Sequence, residues 1–204
     1  MHFSTPRINE RFRGFLPVII DVETAGFNPQ TDALLEVAAV LVRMDDKGFL
    51  YRDKTYACHI HPFPGANLDE DSLAFNGIDP HHPFRDAVDE KTGLEQVFAP
   101  IRREVKNTDC SRAILVGHNP FFDLGFIKAA VERTEVKNPF HAFSSFDTAT
   151  LGGLAYGQTV LARAVQAADM DWSHSDAHSA IYDAEKTADL FCTIVNTWQG
   201  FNPY

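Results

Sequence analysis

Apolar runs bounded by turn residues predict three β-strands in the first third of the chain. The runs cover residues 16–22, 33–44 and 55–60. The second run is apolar except for Glu36 and Arg43, and Asp45-Asp46-Lys47-Gly48 after it is typical of a hairpin turn. This spacing indicates that successive strands pair side by side in one sheet.

Helical spacing and capping residues predict helices in the rest of the chain. The predicted helices cover residues 69–75, 94–105, 119–133 and 159–168, a buried strand covers 113–116, and a last helix carries the stripe Ile181, Ala184, Ala188, Phe191, Val195 and Trp198. Asn119 and Thr159 are expected to cap two of these helices. The order of elements predicts an α/β protein with a mixed β-sheet flanked by α-helices. We expect a single domain of residues 1–204, with residues 1–14 as an N-terminal arm.

The composition is that of a globular protein in a reducing compartment. Apolar residues make up 45% and charged residues 23% of the 204 residues, as in an ordinary domain with a sizeable core. The three cysteines are far apart and form neither a disulfide framework nor a C-x-x-C site. No segment approaches ~20 apolar residues, so we expect a cytoplasmic protein that does not associate with membranes.

The net charge of −10 argues at first against a polyanionic partner. The distribution of the cations weakens that argument. Between residues 101 and 137, seven cations outnumber five anions, and Arg7, Arg11 and Arg13 form a second cluster. An ordinary solvated surface would account for both clusters as well as a nucleic-acid contact would.

Two acidic residues stand at the end of the first predicted strand, where charge is costly. Asp21 and Glu23 follow an apolar run, and residues two apart in a strand share one face. Two carboxylates held together beside a core repel each other and are costly to desolvate. Bound divalent cations would remove that cost.

Three residues near the starts of later helices extend this set. Asp123 is expected in the first turns of the helix begun at Asn119, Asp183 early in the last helix, and His178 in the loop before it. Helix starts that follow strands cluster at one sheet edge, so these segments can converge. Four carboxylates suit Mg²⁺ or Mn²⁺ better than zinc, and two ions ~4 Å apart can clamp the oxygens of a phosphodiester displacement. A histidine with an ordinary pKa of ~6.5 suits a base that takes a proton from water near neutral pH.

Each residue also has an ordinary interpretation when it is taken alone. An Asp-x-Glu pair is usually a surface feature, Asp123 could face solvent, and His178 could be a capping or packed histidine. The combination is more specific, because every acid lies where an element begins or ends.

These residues resemble the three motifs of the DEDDh 3′→5′ exonucleases. The motifs are Asp-x-Glu at 21–23, His-Asn-x-x-Phe-Asp at 118–123 and His-x-Ala-x-x-Asp at 178–183, and the match spans nearly the whole chain. The resemblance implies a ribonuclease H-like fold and two Mg²⁺ ions per active site, with Mn²⁺ as a substitute. It also implies a catalytic set, in which the four acids are the metal ligands: Asp21, Glu23, Asp123, His178 and Asp183.

Further segments narrow the resemblance to members of the family that trim RNA. The segments are residues 12–15, 21–27, 73–78 and 146–148. They imply a homodimer that trims the single-stranded 3′ ends of tRNA, rRNA and other stable RNAs, and that also degrades single-stranded DNA. A DNA proofreading or repair exonuclease shares every catalytic residue and is the alternative within this class. A catalytically silent module that binds RNA ends is a third hypothesis, although a pure binder needs no such set of acids.

Four phenylalanines are candidates for contact with the substrate. They stand in a turn, at a helix end, beside a carboxylate and in a segment expected to be a loop, and they are Phe27, Phe75, Phe122 and Phe143. Aromatic rings can stack on unpaired bases, although each residue alone is more typical of a core. The resemblance implies that these residues hold the terminal bases. It also implies that basic residues of one subunit face the active site of the other, with these candidates: Arg11, Arg13, Lys106 and Arg112.

Overall fold

A computed structural model describes residues 7–173 and 179–199 as one five-stranded sheet with helices on both faces. The strands are β1 (Phe15–Thr24), β2 (Leu34–Met44), β3 (Leu50–His59), β4 (Arg112–Gly117) and β5 (Phe140–Asp147). The helices are α1 (Ile8–Arg11), α2 (Glu70–Asn76), α3 (Glu90–Asn107), α4 (Phe121–Thr134), α5 (Thr148–Tyr156), α6 (Leu161–Ala167) and α7 (Ala180–Gln199).

The sheet is mixed, with the strand order β3-β2-β1-β4-β5. The first three strands pair antiparallel, as their hairpin spacing predicts, whereas β4 and β5 run parallel to β1. In this register Glu23 lies opposite Glu36, while Phe15 at the other end of β1 lies opposite Arg112. The carboxyl end of β1 therefore carries the acidic residues, and its amino end lies beside basic ones.

Two helical layers enclose the sheet. Helices α3 and α4 pack together on one face, while α7 crosses β1, β2 and β3 with α5 and α6 beside it. Side chains of β1 and β2 are buried on both faces, and the core reaches into α3 and α7 through Phe98 and Phe191. Among the described residues, no helix has both the length and the apolar character needed to cross a membrane.

Edge strands account for the main differences from the predicted elements. The sequence pattern places the third strand five residues too late, because the first half of β3 is largely exposed and polar. It gives no sign of β5, whose side chains are mostly half-buried or exposed. The expectation of a loop around Phe143 is therefore wrong, since Phe143 lies within β5.

One helix and several helix ends account for the remaining differences. The sequence pattern does not predict α5, whose nine residues follow β5 directly. Asn119 does not cap α4, because it takes a positive φ of 67° and the helix begins after Pro120. Thr159 does not cap α6 either; Val160 precedes that helix without a side-chain cap. The apolar stripe of α7 is buried in its middle, but Ile181 and Trp198 at its ends are 43% and 50% exposed.

Candidate metal centre and nucleic-acid site

The site is built on the carboxyl end of the central strand. β1 extends through Thr24, so Asp21 and Glu23 both lie within it on the same face, and the side chain between them, Val22, is buried. Both acidic side chains are half-buried. The apolar residues 16–20 fix this strand in the core, and the two carboxylates follow at its carboxyl end.

Helix α7 brings a third carboxylate to this pair. Asp183 lies in the first turn of α7, which packs across β1. One carboxylate oxygen each from Asp21, Glu23 and Asp183 lie within 4.8 Å of one another. The convergence predicted from the sequence is therefore found for these three residues.

The fourth carboxylate reaches the same place from the opposite helical layer. Asp123 lies in the first turn of α4, is 5% exposed, and accepts a hydrogen bond of 3.1 Å from the backbone N–H of Val22. The turn before α4 is fixed by Asn119, whose N–H donates to the carboxylate of Asp147 at 3.0 Å. Asp147 also accepts from the first N–H groups of α5, so one side chain joins both helix starts.

Burial and like charge raise the pKa values of these acids. Burial raises the pKa of Asp21 well above its usual value, and four neighbouring carboxylates raise it further. Burial, followed by the charge of Glu36, raises the pKa of Glu23 from 4.5 to about 8. Burial raises the pKa of Asp123 to about 7 against its backbone hydrogen bonds. At neutral pH the cluster therefore holds protons unless a cation replaces them.

The donor set fits divalent cations. Across residues 7–173 and 179–199, no ion pair joins a lysine or arginine to Asp21, Glu23 or Asp123. Carboxylate oxygens without soft donors are the ligands of hard ions such as Mg²⁺ and Mn²⁺. Asp21, Glu23 and Asp123 have raised pKa values and, among the described residues, no ion pair to a lysine or arginine, which is the electrostatic situation that such ions relieve.

A fifth carboxylate belongs to this environment and is absent from the predicted site. Glu36 lies across from Glu23 on β2, and its other neighbour, His59, places Nδ1 at 2.8 Å from Glu36 Oε1. The sequence carries a signal for it, since Glu36 is an acidic residue in an otherwise apolar strand. His178, the predicted base, lies outside the described residues. The residue after it, Ser179, accepts the backbone N–H of Asp183 at 3.0 Å.

Three of the four predicted stacking residues have exposed side chains and therefore do not belong to the core. Phe27, Phe75 and Phe143 are 82%, 71% and 78% exposed. Phe122 differs, because it is half-buried and packs on Phe126 with ring centroids 5.1 Å apart. The rings of Phe27 and Phe122 meet edge to face at 6.2 Å, next to Asp123. Two of the four aromatic residues thus lie against each other, and one of them directly precedes Asp123 in the sequence.

The turn that carries Phe27 is held by residues distant in sequence. The carboxylate of Asp32 accepts from the N–H of Asn28 at 2.9 Å and from the amide of Asn67 at 3.1 Å. The guanidinium of Arg133 donates to the carbonyl of Pro29 at 3.1 Å, and it is itself held by two hydrogen bonds to the buried Glu90. No local sequence signal reveals these contacts, which present Phe27 at a fixed place.

The predicted basic residues lie away from the carboxylates of their own chain. Phe15 is six residues before Asp21 on β1, and Arg112 pairs with Phe15, so about 20 Å of strand separates Arg112 from the acids. Arg13 adopts a positive φ of 58° just before β1, with its guanidinium 5.5 Å from the Phe15 ring centroid. Arg11 donates to the carbonyl of Val195 at 3.3 Å.

Lys106 belongs to the same basic end of the molecule. It lines an open groove of about 600 Å³ beside Arg112, together with further cations, namely Arg102, Arg103 and Lys137. Within one chain, the structure therefore does not bring the four predicted basic residues to the acidic site.

Two comparisons with known proteins place the chain in the same exonuclease family. The model of an exonuclease family, RNase_T, matches residues 18–191. A ribonuclease T from Marinobacter nauticus is 60% identical over 200 residues, which cover 96% of this chain and 90% of that protein. The resemblance inferred from the three motifs is thereby confirmed.

Solved structures confirm the fold. Escherichia coli exonuclease I in complex with a dT13 oligonucleotide superimposes with a TM-score of 0.65 at 17% identity over 92% of this chain, which spans only 42% of that protein. A full-length 3′-exonuclease gives a TM-score of 0.69 at 16% identity, over 90% of this chain and 83% of its own. A 3′-exonuclease that recognises the 3′ end of a histone mRNA stem-loop gives 0.65 at 16% identity, over 92% and 84% of the two chains. The predicted ribonuclease H-like α/β fold is correct.

Proposed function

This chain belongs to the exonuclease family, and on that basis we propose that it removes nucleotides from the single-stranded 3′ ends of tRNA, rRNA and other stable RNAs, and acts on single-stranded DNA. It is a 3′→5′ exoribonuclease that hydrolyses one terminal phosphodiester at a time. The observation that carries this proposal is that oxygens of Asp21, Glu23 and Asp183 lie within 4.8 Å of one another, while Asp123 binds the Val22 N–H between the two acids of β1.

Asp21, Glu23, Asp123 and Asp183 would hold two Mg²⁺ ions, and Mn²⁺ could substitute for them. The bound ions supply Lewis-acid activation of water and neutralise the charge that develops on the phosphate. The contribution of the protein is to hold these acids at one place, where bound cations would replace their protons. Asp123 does this with a hydrogen-bonded carboxylate, whereas Asp21 is fixed by the central strand.

His178 is the base in this proposal. His178 stands five residues before Asp183 in the sequence, and the backbone carbonyl of Ser179 accepts a hydrogen bond from the N–H of Asp183. An imidazole nitrogen of His178 would accept the proton of the attacking water. This assignment is supported by the spacing of the third motif and by the position of Asp183.

The exposed aromatic residues explain a preference for unpaired ends. Phe27 and Phe122 lie against each other beside Asp123, and Phe75 and Phe143 offer two further exposed rings. Stacking favours single strands, because bases in a duplex already stack on one another. We therefore expect trimming to slow near a stem and to leave a short overhang.

A homodimer would reconcile the acidic site with a polyanionic substrate. The chain has a net charge of −10, and the basic residues stand about 20 Å of strand away from its own carboxylates. A second subunit could bring Arg11, Arg13, Lys106 and Arg112 to face the acidic site of the first. This arrangement is supported by the separation of the two charged ends, which one chain alone does not bring together.

The decisive test is an exonuclease assay on end-labelled tRNA with an unpaired 3′ tail and on a matched DNA. With Mg²⁺ we expect stepwise shortening from the 3′ end, and with EDTA we expect none. Asp21→Asn should abolish turnover while circular dichroism shows an unchanged fold. Undiminished hydrolysis by that variant would reject the two-ion active site.

A further inference from the structure

The first residue of α4 is an exposed phenylalanine that the site described above does not use. Phe121 is 77% exposed, although its neighbour Phe122 is half-buried against the core. It stands two residues before Asp123, in the same helical turn. A large apolar ring is thus held in solvent beside the carboxylate cluster.

Helix geometry extends this position into a face. Residues four and seven positions apart lie on one side of a helix, so Phe121, Gly125 and Lys128 form the outer stripe of α4. Gly125 has no side chain, so no side chain of α4 stands between the ring and the ammonium group along this stripe. Lys128 is exposed and lies about 10 Å along the helix from Phe121. The next residue of the stripe, Glu132, is exposed and lies one turn beyond Lys128, so the cationic part of the stripe ends there.

This outer face adjoins the turn that carries Phe27. A Cβ at Gly125 would lie 3.6 Å from Pro29 Cγ, so the turn of residues 26–32 rests against the flank of the stripe. Phe27 in turn meets Phe122, which follows Phe121 in the sequence. The turn that carries Phe27 therefore packs beside the same helix that presents Phe121 to solvent.

We propose that the outer face of α4 binds the single-stranded nucleotides that lie next to the terminal ones, with a base stacked on Phe121 and a phosphate paired with Lys128. This inference rests on the proposed exonuclease function. A ring for a base and a cation for a phosphate on one stripe are the chemistry that a single strand requires. Four stacking positions hold the end of the substrate, and Phe121 makes a fifth that requires a longer tail.

The test compares a dinucleotide with a twelve-nucleotide RNA as substrates. Phe121→Ala should raise KM for the longer RNA about 5- to 150-fold, the loss of one base stack, with a much smaller change for the dinucleotide. Phe121→Trp should restore the KM of the longer RNA, whereas Phe121→Leu should not, because only an aromatic ring presents a π-face. Lys128→Gln should reduce the salt dependence of binding to the longer RNA by about one counterion.

Phe49→Ala is the matched control. Phe49 is also an exposed phenylalanine, at 44%, but it lies in the β2–β3 hairpin at the opposite end of the sheet. It should leave KM unchanged for both substrates. Equal KM values for Phe121→Ala and wild type on the longer RNA would overturn the inference while wild-type turnover still supports the exonuclease function. A change in oligomeric state of Phe121→Ala would also overturn it, since Phe121 would then belong to a contact between two copies of this chain.

Discussion

The raised pKa of Glu23 makes the stability of the metal-free protein depend on pH in an unusual direction. A carboxyl group with a pKa of about 8 in the folded protein keeps its proton where the unfolded chain, with a value near 4.5, has lost it. Through this group the folded state binds more protons, so the contribution of Glu23 to stability is greatest at low pH and falls as pH rises from about 4.5 to about 8. Glu23→Gln removes this group and should flatten the dependence.

The size of the effect follows from the window between the two pKa values. Each pH unit inside it changes the free energy of unfolding by about 1.4 kcal/mol per proton. Between about pH 6 and about pH 7.5 the wild type should lose about 2 kcal/mol from Glu23. For a chain of this size, that corresponds to a fall in Tm of about 4–8 °C. Asp21 contributes in the same direction, because its pKa is also raised and Glu23 is one cause.

Thermal unfolding of both proteins in EDTA at these two pH values measures the effect. Other titrating groups change the Tm of both proteins between the two pH values. The additional fall in the Tm of the wild type, relative to Glu23→Gln, therefore measures the carboxylate cluster alone. Mg²⁺ should raise the Tm of the wild type more at the higher pH, because fewer protons then compete for the carboxylates. If Tm falls by the same amount in both proteins between the two pH values in EDTA, the pKa of Glu23 is not raised in the folded protein.

Three further outcomes are expected. Phe27→Ala or Phe75→Ala should weaken RNA binding by about 1–3 kcal/mol per lost stack. Melting curves should show little change, because both rings are more than two-thirds exposed. A large fall in Tm with unchanged RNA affinity would mean that the two rings stabilise the core and do not bind RNA. His178→Ala should bind the 3′ end but lose most of its turnover, and the wild-type rate should rise with pH through an imidazole pKa and then level off; a rate that falls over this range would remove His178 from the mechanism. Purified mixed dimers, with Asp21→Asn in one subunit and Arg112→Ala in the other, should regain about half of the wild-type activity, since one of their two composite sites is intact; mixed dimers as inactive as either parent would contradict the cross-subunit arrangement.

The central part of the fold could be predicted from sequence because its elements are buried. Strands β1, β2 and β4 are buried on both faces, so each is a continuous apolar run that can be recognised from its own residues alone. Edge strand β5 and the first half of β3 are stabilised by pairing with a neighbouring strand, and their side chains carry no corresponding pattern. Asn119 does not act as a cap, because its backbone is fixed by Asp147 from another part of the chain.

The candidate site shows the same division between local and distant information. Asp21 and Glu23 stand out because charge interrupts a buried strand, and Glu36 carries that signal as well. The exposed position of Phe27 depends on Arg133 and its partner Glu90, which lies 43 residues away in sequence. Such contacts depend on tertiary packing, and they produce no regular spacing of residues in the sequence.

The hydrogen bond between Val22 and Asp123 gives one metal-ligand candidate a second task. The parallel pairing of β1 with β4 ends at Ile19 and Val116, so beyond that point a side chain, and not a strand, accepts the Val22 N–H. Truncating Asp123 to alanine would orphan a buried donor in the middle strand as well as remove a charge. An inactive but intact enzyme for trapping substrate is therefore better made with asparagine, whose side-chain oxygen preserves the acceptor. The sheet therefore requires a hydrogen-bond acceptor in the side chain at position 123, whether or not a metal ion is bound.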